Sequence, residues 1–352
     1  MKILICGDNH WSQYSSIVRQ RGEKYSLRLE NQIKSINWVE ALAVEQECAC
    51  IIHLGDFFDA PNLCSEEITA LKEIEWAEYM PHYFLVGNHE IGTRNLQFNS
   101  VNVLTNNTPY EVIDKITNKY WEDIEAVFIP YMFEGDKPEL STLFKTNATK
   151  KIIFSHNDIK GIQMGQFISK EGFDIDDIKN SCSLFINGHY HNGEKIGNII
   201  NCGNLTGQNF GEDASKYDHV ALILDTEIMR VAVFENPYAF NFYKLDFYGA
   251  DIDYINIISE ELKRNAVCSI KCSEKDLHYL KCRFGNEHDD IIPECNKIVC
   301  SRFVIVPETS TSGATVSEEL SQVDHLNLFR EYILQTLGNS EVITSELAEV
   351  CK

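Results

Sequence analysis

The feature that most constrains this chain is a series of short apolar runs, each ending in residues of the kind that hold metal ions. Ile3–Cys6 leads into Asp8-Asn9-His10, and Cys50–Leu54 into Gly55-Asp56-Phe57-Phe58-Asp59. Tyr83–Val86 leads into Gly87-Asn88-His89-Glu90, Ile152–Ser155 into His156-Asn157, and Leu184–Asn187 into Gly188-His189-Tyr190-His191. A sixth run, Ala126–Pro130, lies between them. Runs this short, several of them rich in Ile and Val, read as buried strands. Ser26 to about Glu47 and Ser65 to Tyr79 show helical spacing, the second with Ser65 as N-cap and Ile68, Leu71 and Ile74 as its apolar stripe. Strand, helix, strand order with short connections predicts an α/β fold. Ligands of such sheets gather at the carboxyl ends of the strands, so five motifs placed there should converge.

The residue types make chemical sense together. Asp8 and His10 stand two apart, and His189 and His191 repeat that spacing. Carboxylate oxygen with imidazole nitrogen suits Mn, Fe or Zn rather than Ca. The Asn88 oxygen would be a neutral ligand, leaving the ions more electrophilic. A carboxylate such as Asp56 can bridge two ions about 3.5–4 Å apart, which would then polarise a phosphoryl oxygen and generate hydroxide near neutral pH. A lone D-x-H or H-x-H is usually structural, and G-D or N-H is ordinary turn chemistry. The signal lies in the order and placement of all five. His53, inside an apolar run, reads instead as a hydrogen-bonded core histidine. His82, His219, His278, His288 and His325 lack metal-type partners at motif spacing and read as structural or exposed. There is no phosphate-binding G-x-x-x-x-G-K-[ST] loop and no G-x-S-x-G elbow.

Bulk properties set the limits. With 352 residues, 44% of them hydrophobic, the chain can bury one large domain plus a smaller one. Its opening apolar run is too short for a secretory signal, and no stretch approaches the roughly 18 apolar residues of a membrane helix. The expectation is a soluble, cytoplasmic protein, in the host cytoplasm if phage-encoded, with no membrane partner. The 12 cysteines include no C-x-x-C pair, and several lie in or beside apolar runs, so they read as reduced thiols. A net charge of −22 works against non-specific binding of DNA, which relies on a basic surface. An acidic chain must use bound cations, a local basic stripe or a partner.

Beyond Gly193 the pattern changes to closely spaced strands with Gly and Asn turns up to Phe234, predicting a second sheet packed on the first. Ala266–Cys272 and Arg302–Val306 read as strands with a helical stretch between them, a small α+β domain. Residues 307–317 are Ser/Thr/Gly-rich and read as a linker. Leu326, Phe329, Ile333 and Leu337 then fall at helical spacing, as a helix docked on its own core or one tethered for a partner.

The ordered motifs resemble the calcineurin-like metallophosphoesterase superfamily, whose pattern runs D-x-H, G-D, G-N-H-[DE], H, G-H-x-H, over about residues 1 to 235. The resemblance implies a two-sheet sandwich flanked by helices. By position it implies Asp8, His10, Asp56 and His191 as ligands of one ion, and Asp56, Asn88, His156 and His189 as ligands of the other. His89 corresponds to the histidine that stabilises the transition state or protonates the leaving oxygen. Gly55-Asp56-Phe57-Phe58-Asp59 is similar to the G-D-x-F-D of SbcD-type DNA repair nucleases, with Asp59 placed to orient His89. Ile129-Pro130-Tyr131-Met132, and the turn from Asn201 through Gly211-Glu212, are also similar to that branch. Its size looks most like phage recombination-nuclease subunits.

On this resemblance the expected organisation is a nuclease domain at 1–238, a DNA-capping domain at 239–306, a linker at 307–317 and a helical partner-binding segment at 318–352. The expected activity is a DNA exo/endonuclease with two divalent ions, Mn2+ by expectation, working with an SbcC-like SMC-family coiled-coil ATPase. A homodimer through Ser65–Tyr79 is expected as well. The alternative is a small-molecule phosphodiesterase or phosphoprotein phosphatase with the same cage. Departures from the branch are Asn9, Trp11-Ser12, Glu90 in place of Asp, and a basic cluster of Arg19, Arg21, Lys24 and Arg28. These arginines and Arg94 are candidate DNA contacts, or else a solvated helix start.

Overall fold

The computed structural model describes residues 1–104, 109–164, 167–286 and 293–307. The expected linker beyond Pro307, the 318–352 segment, His288 and His325 lie outside the described residues. The chain opens with β1 (Lys2–Cys6), α1 (Leu27–Glu45), β2 (Cys50–His53), α2 (Ser65–Ala70), β3 (His82–Leu85), β4 (Tyr110–Ile113), β5 (Thr117–Trp121) and β6 (Ile124–Ile129). It continues with β7 (Lys150–Ser155), a hairpin of β8 (Gln163–Met164) and β9 (Phe167–Ile168), α3 (Ile175–Ser181), β10 (Leu184–Asn187), β11 (Glu194–Ile196) and β12 (Ile199–Asn201). Then follow β13 (Val220–Asp225), β14 (Arg230–Glu235), β15 (Asn241–Asp246), α4 (Ile252–Glu261), β16 (Ala266–Cys272), α5 (Leu277–Phe284) and β17 (Ile298–Ile305).

Two six-stranded sheets form the frame, ordered β14-β13-β1-β2-β3-β4 and β11-β12-β10-β7-β6-β5. In the first, β1 to β4 are parallel and β13 and β14 antiparallel; in the second, β6, β7, β10 and β12 are parallel with antiparallel edges. Alternate residues divide between the two faces. Ile3, Ile5, Ile52, Leu54 and Leu85 meet Phe128, Ile152, Phe154 and Ile186 between the sheets. Leu4, Cys6, Ile51 and Phe84 face outward under α1, against Leu29, Ile36, Val39 and Ala43. Val127, Ile129, Ile153 and Phe185 are covered on the far side by Ile178 of α3 and neighbouring loops. Strands buried on both faces read as unbroken apolar runs, which is why the six runs were visible. The fold is thus a two-sheet α/β sandwich with helices outside.

Of the two expected helices, the first forms as expected and the second needs correction. Ser26 caps α1, accepting from Leu29 N–H at 3.2 Å. In the second helix, Cys64 rather than Ser65 occupies the cap position, and the α-helix ends at Ala70 with one further 3-10 turn to Glu73. Ile74 turns extended, and Trp76 packs against Phe57, Phe84 and Tyr110. Burying that indole on the sheet outweighs continuing the helix toward Tyr79.

The last sheet, β15-β16-β17, is parallel and packs on α4 and α5 around Phe247, Leu280 and Phe284. Phe210, Phe240, Phe242, Val267 and Cys300 join it to the sandwich, so that Met1–Pro307 forms one compact unit. The described cysteines are free thiols, most of them buried. Among the described residues no helix is long and apolar enough to cross a membrane.

Candidate metal centre

The five motifs meet at one end of the sandwich because their parallel strands end there. The loop after β1 is tied to the loop after β2 by Asp8 N–H to Gly55 O (3.2 Å), His10 N–H to Asp56 O (2.8 Å) and Trp11 N–H to Phe57 O (2.7 Å). Gly188 N–H reaches Ser155 O at 2.9 Å, joining the loops after β10 and β7. Asp8, His10, Asp56 and His189 all have positive φ, between 48° and 74°. Non-glycine residues rarely adopt this conformation, and packing must hold them there. A Cβ on Gly87 would collide with the Asp56 carboxylate, and one on Gly55 with the His156 ring. Glycine at those two positions lets the loops close.

The structure brings Asp8, His10, Asp56, Asn88, His156, His189 and His191 together. Asp8, His10 and His191 offer one group of facing ligand atoms; Asp56, His156 and His189 offer another. Asp56 lies between them, its Oδ2 3.1 Å from His156 Nε2 and 3.8 Å from His10 Nε2. Asn88 Oδ1 stands 3.2 Å from His156 Nε2 and 3.0 Å from His189 Nδ1.

Each histidine uses its other nitrogen outward. His10 Nδ1 meets Asp59 Oδ1 (2.9 Å), His191 Nδ1 meets Glu212 Oε1 (2.8 Å), His189 Nε2 meets Asp158 Oδ1 (3.3 Å) and His156 Nδ1 meets the Leu54 carbonyl (2.7 Å). These acceptors require N–H on the outward side, so the inward nitrogens keep lone pairs. His10 Nε2 and His191 Nε2 then face each other at 3.1 Å, and His156 Nε2 faces two oxygens. Converging lone pairs repel unless a cation lies between them. The donor set therefore fits two divalent ions.

The cage draws in positive charge: burial opposes it, yet Asp56 raises His156 to about 9 and Glu212 raises His191, places that bound cations would take from protons. Burial disfavours the charged forms of His10 and Glu212. His10 is held below the ordinary imidazole range, but for Glu212 the hydrogen bond and charge of His191, the Gln208 N–H and the His219 charge together outweigh burial and lower its pKa. Glu90 is pushed up to about 8 by burial and by the Asp56 charge. It accepts from Gly87 N–H (2.7 Å) and Phe58 N–H (3.1 Å), stitching two of the loops together. At the mouth, His89 Nδ1 donates to Asp59 O at 3.1 Å and lies 3.5 Å from Asp59 Oδ1. That contact raises the His89 pKa to about 9; cations in the cage would lower it again.

The basic residues are placed less uniformly than the sequence suggested. Arg28 is a correction: it is 5% exposed, and its Nη2 donates to His10 O at 3.0 Å. Gln32 Nε2 donates to the Asn9 and His10 carbonyls at 2.8 and 2.7 Å. These two α1 side chains hold the strained β1 loop, and Arg28 is out of reach of a phosphate in solvent. Arg19 donates to Ser16 O at 2.9 Å, Arg21 pairs with Glu66 at 2.7 Å, and Lys24 pairs with Glu73. Arg94 lies over the Phe133 ring, 4.7 Å from its centroid, in an open cleft of about 350 Å³ lined also by Asn88 and Tyr131. Arg94, 3.9 Å from the Asp136 carboxylate, is thus the exposed basic candidate that shares a cleft with a cage residue.

Sequence reasoning missed the roles of Glu212 and Asp158. Glu212 is buried and also accepts from Asn204 Nδ2 (2.9 Å) and Gln208 N–H (2.7 Å). The only prior signal for Glu212 was its Gly-rich turn; Asp158 followed His156-Asn157 with nothing to mark it. The next residues after Glu212 tie the small sheet to the cage: Asp213 bridges to Phe242, and Ala214 N–H reaches Phe242 O at 2.8 Å.

The family model described as "Calcineurin-like phosphoesterase" matches residues 1–223. The "DNA double-strand break repair protein Mre11" of Sulfolobus acidocaldarius is 23% identical over 164 residues, 44% of this chain and 42% of that protein. "Putative phosphoesterase 244L" of Invertebrate iridescent virus 6 is 30% identical over 155 residues, 42% of this chain and 54% of that protein. The chain spans about half the length of the curated relatives it matches. A dimetal phosphatase from Danio rerio superposes at 11% identity with a TM-score of 0.38, covering 63% of this chain and 91% of that one. The phosphoesterase YfcE from E. coli does so at 11% identity with a TM-score of 0.32, covering 67% and 100%. With the family match running through all five loops that build the cage, this chain belongs to the calcineurin-like phosphoesterase family of two-metal hydrolases.

Proposed function

We propose that this chain is a metal-dependent DNA nuclease, hydrolysing phosphodiester bonds in repair or recombination with two Mn2+ ions in the cage. The observation that carries the reading is Asp59, the last residue of the G-D-x-F-D motif. Its carboxylate reaches a cage histidine, His10, and the half-exposed His89 at once. One side chain thereby fixes the distance between the cage and the group that would act on the leaving oxygen. The partial similarity to a protein named for DNA double-strand break repair supports the same branch.

Two bound ions would supply charge against the phosphoryl oxygens and a nucleophile near neutral pH. Asp8, His10, Asp56 and His191 would hold one, and Asp56, Asn88, His156 and His189 the other. His89, whose ring centroid lies 4.6 Å from that of His10, would donate a proton to the departing sugar oxygen. Arg94 would meet the strand's phosphates, and Tyr131 and Phe133 would offer ring faces to an unpaired base. The small sheet, bonded to the Glu212 loop, would cap the DNA. An SbcC-like ATPase would dock through residues 318–352. A homodimer would form about α2, where Ile68 and Tyr79 are exposed.

The deciding assay offers linear duplex and hairpin DNA with Mn2+, with and without a coiled-coil ATPase partner. Degradation of linear duplex that disappears in His89→Ala is expected. Turnover of phosphomonoesters or cyclic nucleotides with every DNA left intact would establish the second reading, a small-molecule phosphodiesterase or phosphoprotein phosphatase. The net charge of −22 is what favours that alternative.

A further inference from the structure

A second cluster of histidine and carboxylate lies on the outward face of the first sheet, beneath α1. Glu40 comes from α1, His53 from the end of β2 and His82 from the start of β3. All three are buried, at 2%, 4% and 0% exposure, and their ligand atoms lie within 4.8 Å of one another. His82 Nε2 stands 3.5 Å from Glu40 Oε2. A zinc ion bound at about 2.0–2.1 Å would set its ligand atoms roughly 3.3 Å apart, so a small contraction would close the site.

The polar atoms around this point are left wanting. Glu40 Oε1, His53 Nε2 and both ring nitrogens of His82 are buried without a hydrogen-bond partner. Such groups each cost about 1–3 kcal/mol when unpaired, and several in one place call for an ion or water. A proton shared between Glu40 and His82 would satisfy that pair and leave His53 Nε2 empty. A divalent ion would take up Glu40, His53 Nε2 and one nitrogen of His82 at once, leaving the other His82 nitrogen as an N–H. His53 is oriented for it: Nδ1 contacts Cys6 Sγ at 3.4 Å, leaving Nε2 as the nitrogen facing the cluster. Glu40 Oε2 is itself held by Ala77 N–H at 2.9 Å.

We propose that Glu40, His53 and His82 form a third metal site, structural rather than catalytic, for a zinc-like divalent ion. Each of the three residues offers one donor atom, and a bound water would fill the fourth position of a tetrahedral zinc site. The surroundings are apolar and aromatic: His53 stacks on Phe84 with centroids 4.1 Å apart, and Trp76 meets the His82 ring edge-on at 5.6 Å. Burial holds both imidazoles neutral, His82 down to about 3 and His53 well below its ordinary range, as metal ligands must be, and it pushes Glu40 up to about 8, so binding an ion would displace the Glu40 proton. The ion would pin α1, β2 and β3 together behind the catalytic loops.

The test measures metal, not hydrolysis, and so is independent of which phosphoester the enzyme cleaves. Full-length chain carrying Asp8→Ala and His156→Ala, to empty the dinuclear cage, is loaded with Zn2+ and desalted through a weak chelator. Elemental analysis should find one zinc per chain, falling at least tenfold when His82→Phe or the isosteric Glu40→Gln is added. Co2+ in its place should give the visible bands of a four-coordinate ion. In the unmutated chain, saturation should reach three ions. A folded cage-emptied chain that retains no zinc, or one whose zinc survives both added substitutions, overturns the site.

Discussion

The molecule carries two clusters of buried histidine and carboxylate that both draw on β2 and β3, and they differ in how their nitrogens are used. In the catalytic cage, every histidine has an outward acceptor: Asp59, Glu212, Asp158 or the Leu54 carbonyl. In the cluster beneath α1, both nitrogens of His82 and one of His53 have none. The cage also opens to solvent at His89, whereas the second cluster is walled by Phe57, Phe84, Trp76 and Tyr110. Open access and oriented ligands suit turnover; closure and aromatic walls suit a structural role. His53 closes β2 and Asp56 follows three residues later in the loop at its carboxyl end, so the end of one strand serves both clusters.

The comparison breaks most visibly at Asp56. Asp56→Asn should lower phosphodiester turnover by about 10³-fold, since it removes the charge shared between the two ligand groups. Circular dichroism should stay near that of the unmutated chain, and a turnover loss under tenfold would deny Asp56 the bridging position. His89→Asn should cost about 10²-fold in kcat with the metal content of the cage unchanged, because His89 sits at the mouth and not among the ligands. Loss of bound metal in that variant would instead move His89 into the cage. Glu212→Gln should weaken metal affinity by about 10–100-fold, the usual cost of removing the carboxylate behind a ligating histidine. Titrating activity against Mn2+ concentration measures this, and an unchanged midpoint would reduce Glu212 to a loop tie.

The smallest expected effect sharpens the other side. Glu40→Ala leaves Ala77 N–H without its acceptor and opens a gap under α1, and should cost about 1–3 kcal/mol of stability. Chemical denaturation reads that directly. A turnover loss as steep as that of Asp56→Asn would erase the distinction between the two clusters.

Much of the cage was legible in the sequence because its ligands follow buried strands without delay. The strands announce themselves as Ile- and Val-rich runs, and parallel pairing then places Asp8, Asp56, Asn88, His156 and His189 at one edge. Arg28 misled for the opposite reason. It sits among Arg19, Arg21 and Lys24 in sequence, but α1 turns it inward to the His10 carbonyl while the others stay near the surface. The stripe of Ile68, Leu71 and Ile74 was real in part: Ile74 is buried and Leu71 partly so, but Ile68 is exposed. Its helix stopped early because the Trp76 indole has a place on the sheet that helical geometry could not reach.

The sequence by itself determined the six apolar strands, the α/β class and the metal-type residues that follow those strands, since local pattern and strand period suffice for these; the ligand sets were implied by the family resemblance. Only the tertiary structure decided which carboxylate stands behind each histidine, which arginine is buried, and that Glu40, His53 and His82 meet. Those pairings join residues far apart in the chain through loop closure and helix packing, and no local spacing encodes them.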